Sequence, residues 1–151
     1  MPTDTALRLA AGAAILFQTV LLVHFAVRRW AMPVALRWGW IVYALSIPGA
    51  ALSLLLRRWG LAWPLWAGGL IYLVWSVLGY TVEYVLRIPW RSPPRWPILA
   101  PYLLLYLAAA MFYWWPFAAV SRRLWLLLGA LFVISSALNL ASHRLRTSAS
   151  T

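Results

Sequence analysis

The feature that most restricts this chain is the length of its apolar runs. Five of them, Ala6–Val27, Gly39–Leu56, Leu65–Leu86, Ile98–Phe117 and Leu124–Ser142, are almost free of charge. A helix of about 20 apolar residues matches the hydrocarbon thickness of a bilayer. The segments between them, "RRWAMPVALRW", "RRWGLAWP", "RIPWRSPPRWP" and "AAVSRR", are short and carry arginine, proline or both. They leave no room for a soluble domain. Inside hydrocarbon every backbone N–H and C=O must find a partner within the protein, which leaves the helix as the structure for runs of this kind. The expected fold class is therefore all-α. It is a polytopic bundle of five transmembrane helices making a single domain, with a short polar tail over 143–151.

Composition supports this solvent assignment. The chain is 65% hydrophobic and 10% charged, against about 45–50% and 25% in soluble domains. Its first run is longer than a secretory signal core and is followed by Arg28-Arg29 rather than small residues, so it reads as a retained helix. All thirteen basic residues are arginine, which together with abundant alanine, leucine, proline and tryptophan points to a bacterial inner-membrane protein. The net charge of +11 does not indicate a nucleic-acid partner, because the arginines lie between apolar runs where they meet lipid phosphates. There are no cysteines and no lysines, which removes thiol, Schiff-base and P-loop lysine chemistry.

Arginine also gives an orientation. The N-terminus and the 57–64 and 118–123 loops hold five arginines, and the 28–38 loop, the 87–97 loop and the C-terminus hold eight. The positive-inside rule puts the second group in the cytoplasm, with the N-terminus outside. Eleven of the twelve tryptophans fall at or near run ends, where an indole sits at headgroup level, and Trp75 alone is central. Ala6, Ala10 and Ala14 form a small-residue stripe suited to close helix packing. Pro48 is expected to break the backbone bond to Ala44 and bend the second helix.

Polar residues within the runs gather toward one end. Tyr72, Ser76, Gly79, Glu83 and Arg87 share one face of the third helix, and Ser136, Asn139 and His143 share one face of the fifth. His24 and Tyr102 reach the same leaflet from the first and fourth helices. Polar stripes avoid lipid, so Glu83, Arg87, Tyr102, Asn139, His143 and His24 make the candidate polar cluster. Glu83 precedes Arg87 by four residues, the favoured order for a helical ion pair. That pair would brace the third helix on the fifth, or Glu83 would carry a proton or orient a ligand. His24 and His143 are the only histidines. They suggest a b-type haem alternative or, with Glu83, a zinc site, although no spacing motif accompanies either. No cofactor is expected otherwise, and no paired carboxylate, nucleophile elbow or phosphate loop is present.

"SPPRWPILAPYLLLYLA" (Ser92–Ala108) resembles the Pro-Pro-Trp loop and second helix of the tryptophan-rich sensory protein (translocator protein) family. "SALNLASHRLR" (Ser136–Arg146) looks like the end of that family's fifth helix. In that family the loop follows the first helix, whereas here it follows the third. The resemblance implies a pocket for a small apolar or tetrapyrrole-like ligand. Two functions are expected on this reading. One is a non-catalytic accessory or assembly subunit of a larger membrane complex. The other is a ligand-binding or transport protein with a polar pocket between helices 3, 4 and 5, for which a homo-oligomer is expected.

Overall fold

The computed structural model describes the backbone over residues 3–90 and 93–144, with side chains from Asp4 to Ala141 in those stretches. Among the described residues there are five helical segments long and apolar enough to cross a membrane: Asp4–Trp30, Met32–Arg58, Trp63–Val85, Trp96–Ala119 and Arg122–Ala141. No strand occurs among them, and the fold is an all-α membrane bundle. Helix α1 (Thr3–Trp30) is the first span. The second span is three end-to-end pieces, α2 (Met32–Trp38), α3 (Trp40–Ala44) and α4 (Ser46–Arg58). The third is α5 (Trp63–Tyr80), which runs into a wide π turn over Thr81–Val85. The fourth is α6 (Trp96–Phe112) with a short 3-10 turn, Trp115–Ala119, and the fifth is α7 (Arg122–Arg144).

The principal packing pairs are α4 with α5, α5 with α6, and α1 with α7. The chain thus lays spans two, three and four side by side, then returns the fifth to the first. Lipid tails are as apolar as leucine, so close approach and hydrogen bonds drive these contacts rather than water exclusion. Small residues mark the closest one. A Cβ at Gly69 of α5 would run into Ser53 Oγ and the Gly49 carbonyl of α4. The Ala6, Ala10 and Ala14 stripe of α1 is buried, continuing through Phe17, Leu21 and Phe25.

The interior is aromatic. Trp75, 1% exposed, lies against Tyr43, Tyr72, Tyr102 and Tyr106 at ring separations of 5.3–6.0 Å. Most other tryptophans project outward, with Trp30, Trp63, Trp96 and Trp115 all well exposed. Trp90 departs from the interfacial role read from its position. It is buried and packs on Tyr102 with ring centres 4.8 Å apart.

The second span is interrupted at Leu45, three residues before Pro48. Proline has no N–H to give to Ala44, so the hydrogen-bond ladder fails there. Two side chains meet neighbouring carbonyls: Ser46 Oγ donates to Tyr43 O at 2.6 Å, and the Tyr72 hydroxyl donates to Val42 O. The break expected near Pro48 therefore appears one turn toward the N-terminus, held by two hydroxyls.

Candidate functional site

The third span carries its polar stripe inward. Tyr72, Ser76 and Gly79 are buried on α5. At Gly79 the absence of a side chain is used directly, because a Cβ there would lie 2.6 Å from Tyr43 Cε1. Tyr43 thereby reaches past α5 to Glu83 and donates a hydrogen bond to Glu83 Oε2 at 3.0 Å. Its oxygen lies 3.4 Å from the Tyr102 hydroxyl. A phenol has one proton. Tyr43 directs its own to Glu83, so Tyr102 is the donor to Tyr43. The result is a partly buried relay, Tyr102 to Tyr43 to Glu83, joining spans four, two and three.

The Glu83–Arg87 ion pair expected from sequence does not form. The helix widens into the π turn, where Leu86 N bonds Thr81 O at 2.8 Å and Ile88 N bonds Val82 O at 3.0 Å. Arg87 follows with φ 52°, the left-handed position that ends a helix, and its side chain is exposed. Four-residue spacing brings side chains together only while the α-helical period lasts. That period ends at Tyr80. Glu83 is instead linked to the second span through Tyr43, and the side chains at the end of the fifth helix, on which the expected bracing depends, lie outside the described residues.

His24 lies elsewhere, half-buried in a groove between the first two spans lined by Val23, Trp38, Gly39 and Val42. Gly39 allows it near: a Cβ there would stand 2.8 Å from the Tyr84 hydroxyl and 3.4 Å from His24 Cε1. Arg28, one turn further along α1, is 9% exposed. The side chain of His143 lies outside the described residues, and with it the haem and zinc readings that need it. Among the described residues no three metal-ligating side chains come together.

Asn139 faces a different space. Between α6 and α7 runs a groove of about 470 Å³ lined by Pro94, Trp96, Leu99, Leu103, Tyr106, Leu107, Ser136, Asn139 and Leu140. Its lips, Trp96, Leu107 and Leu140, are exposed, and its floor holds the buried Tyr106. The Tyr106 and Ser136 hydroxyls lie 3.4 Å apart. Ser136 and Asn139 are one turn apart on α7, so both present to the same groove. Tyr102 and Tyr106 are one turn apart on α6, which makes α6 the shared wall between the relay and the groove. Of the residues read as one cluster, Glu83 and Tyr102 thus lie on the relay, Asn139 lines the groove, and His24 stands beside Gly39 on the side of Tyr84. Tyr43 was not a sequence candidate, because nothing in "GWIVYALS" distinguishes a tyrosine aimed across the bundle from one at an interface.

No family model, curated protein or solved structure matches this chain.

Proposed function

We propose that this protein binds a small amphiphilic molecule drawn sideways from the bilayer into the groove between α6 and α7. The carrying observation is the polar floor of Tyr106, Ser136 and Asn139 beneath exposed apolar lips. Polar side chains lining a lipid-facing groove favour an occupant with polar atoms of its own over bare hydrocarbon. A ligand with an apolar body and one or two oxygens satisfies both parts, as small-molecule sites generally do. This is the ligand-binding function of the two expected from sequence, with the pocket between helices 4 and 5.

The test is recovery of the ligand. Protein extracted from native membranes in mild detergent should carry a discrete small molecule detectable by mass spectrometry. Asn139→Leu and Ser136→Ala together should reduce its occupancy at least several-fold without loss of the folded bundle. Recovery of bulk membrane lipid alone, in the same amount from wild type and variant, sinks the reading.

The same floor supports a second function, an accessory subunit whose partner lays a helix in the groove. α7 favours it, since the fifth span is the least buried of the five and Leu126, Leu127, Val133 and Ile134 face outward. In that case a stoichiometric membrane protein accompanies the chain through purification, and the double variant releases it.

The arginine balance supports placement in a bacterial inner membrane with the N-terminus outside and the C-terminus cytoplasmic. The relay of Glu83, Tyr43 and Tyr102 would then sit near the cytoplasmic face.

A further inference from the structure

A second cavity lies on the other side of the bundle. It is a slot of about 300 Å³ between α1 and the second span, lined along α1 from Arg8 to Val20 and along α4 by Pro48, Gly49 and Leu52. By helix rise the α1 stripe is about 18 Å long. Arg8 is exposed at one end, where its long side chain can reach the headgroups. Leu9 and Leu16 on the rim are 41% and 58% exposed, so the slot opens to lipid. Its two walls carry a glycine each. A Cβ on Gly12 would meet nothing within 4 Å, and one on Gly49 would reach only the Tyr113 hydroxyl at 3.5 Å and Tyr72 Cδ1 at 3.6 Å.

The floor is made of rings. Phe17 stacks on Tyr113 with centres 4.3 Å apart and meets Tyr72 edge-on at 4.8 Å. Tyr113 is 8% exposed, and its hydroxyl has no hydrogen-bond partner among the described residues, while the neighbouring Tyr72 hydroxyl is committed to Val42 O. A phenol that faces an apolar slot without a partner is costly, so the occupant of the slot is expected to bring an acceptor. Phe17 is nine residues below Arg8, which sets the phenol about 13 Å beneath the headgroup end. Phospholipid ester carbonyls lie near the headgroups, and acyl chains carry no oxygen at that depth. An acceptor there must belong to the apolar body of the ligand itself. The ring-lined floor and the side-chain-free positions at Gly12 and Gly49 suit a flat ring.

We propose that this slot binds a lipid-soluble carbonyl compound of the quinone class, with a ring carbonyl accepting a hydrogen bond from Tyr113 and the tail running out between Leu9 and Leu16. The slot is separate from the groove between α6 and α7, and the proposal does not depend on a ligand there.

The test uses the purified full chain in detergent and two probes, decylubiquinone and decylbenzene, which has a comparable tail but no carbonyl. Binding is read by equilibrium dialysis, and folding by the melting temperature of each variant without probe. Decylubiquinone should bind wild type, and decylbenzene should bind at least about fivefold more weakly. Tyr113→Phe keeps the ring and removes only the donor; it should weaken decylubiquinone binding about fivefold and leave decylbenzene unchanged. Gly12→Leu projects into open slot space and should abolish binding of both probes while the bundle stays folded. The proposal is overturned if wild type does not bind decylubiquinone, if the two probes bind equally, or if Gly12→Leu retains binding. Equal decylubiquinone affinity in a folded Tyr113→Phe protein overturns it as well. Should Tyr113→Phe fail to fold, the probe pair on wild type and Gly12→Leu decides the matter.

Discussion

Tyr43 of the second span donates its hydroxyl to the Glu83 carboxylate of the third across 3.0 Å. Glu83 is the only acidic residue in the chain besides Asp4 of the N-terminal turn. That contact helps to account for its placement: a half-buried carboxylate near the end of an apolar helix needs donors, and the second span supplies one. Gly79 makes the reach possible by leaving room for the Tyr43 ring.

Removing that donor should cost stability. Tyr43→Phe is expected to lower the unfolding free energy in detergent by about 1 kcal/mol. Glu83→Gln should cost less, because its amide oxygen still accepts from Tyr43. In a double-mutant cycle the two losses should be non-additive. Independent, fully additive effects would show that the contact contributes nothing.

Arg87 offers an opposite sign. A non-glycine residue in the left-handed region costs roughly 1–2 kcal/mol, so Arg87→Gly should raise the melting temperature. Were Arg87 the ion-pair partner of Glu83, the same substitution would lower it.

Two glycines separate packing from helix propensity. Gly69→Ala places a methyl against Ser53 and the Gly49 backbone, so α4 and α5 must move apart and the yield of folded protein should fall sharply. Gly12→Ala has open space around its Cβ and should be neutral or stabilising by up to about 1 kcal/mol. Equal behaviour of the two in a detergent melt would contradict the close approach of α4 and α5.

The interruption at Leu45 should respond to Pro48→Ala. Restoring an N–H at that position gives Ala44 O its helical donor, and amide hydrogen exchange over 45–49 should slow. Unchanged exchange would mean that the hydroxyls of Ser46 and Tyr72, rather than proline, impose the break.

The orientation can be read with single cysteines, since the natural chain has none. A cysteine at Ser121 should react with an impermeant thiol reagent in intact cells. One at Ser148, in the tail outside the described residues, should be shielded. The reverse pattern would invert the topology and move the Glu83 relay to the outer face.

The five spans were legible from residue order alone, because hydrocarbon allows a backbone run of that length little choice but a helix, and the charge and proline between runs mark where each must stop. The inward face of α5 was legible too, since the period that groups Tyr72, Ser76 and Gly79 is local to one helix. What required the tertiary structure was which helices are neighbours. Helix α7 packs on α1 rather than beside α5, so Asn139 and Glu83, read as one cluster, face different spaces. Nothing local determines that choice: apolar faces of membrane helices are nearly interchangeable, and small-residue contacts such as Gly69 on Gly49, known only once two helices meet, select among them. The end of α5 was hidden for a related reason. A π turn and a left-handed Arg87 leave no mark in the spacing of "TVEYVLR", yet they remove Arg87 from the face of Glu83, which accepts a hydrogen bond from Tyr43.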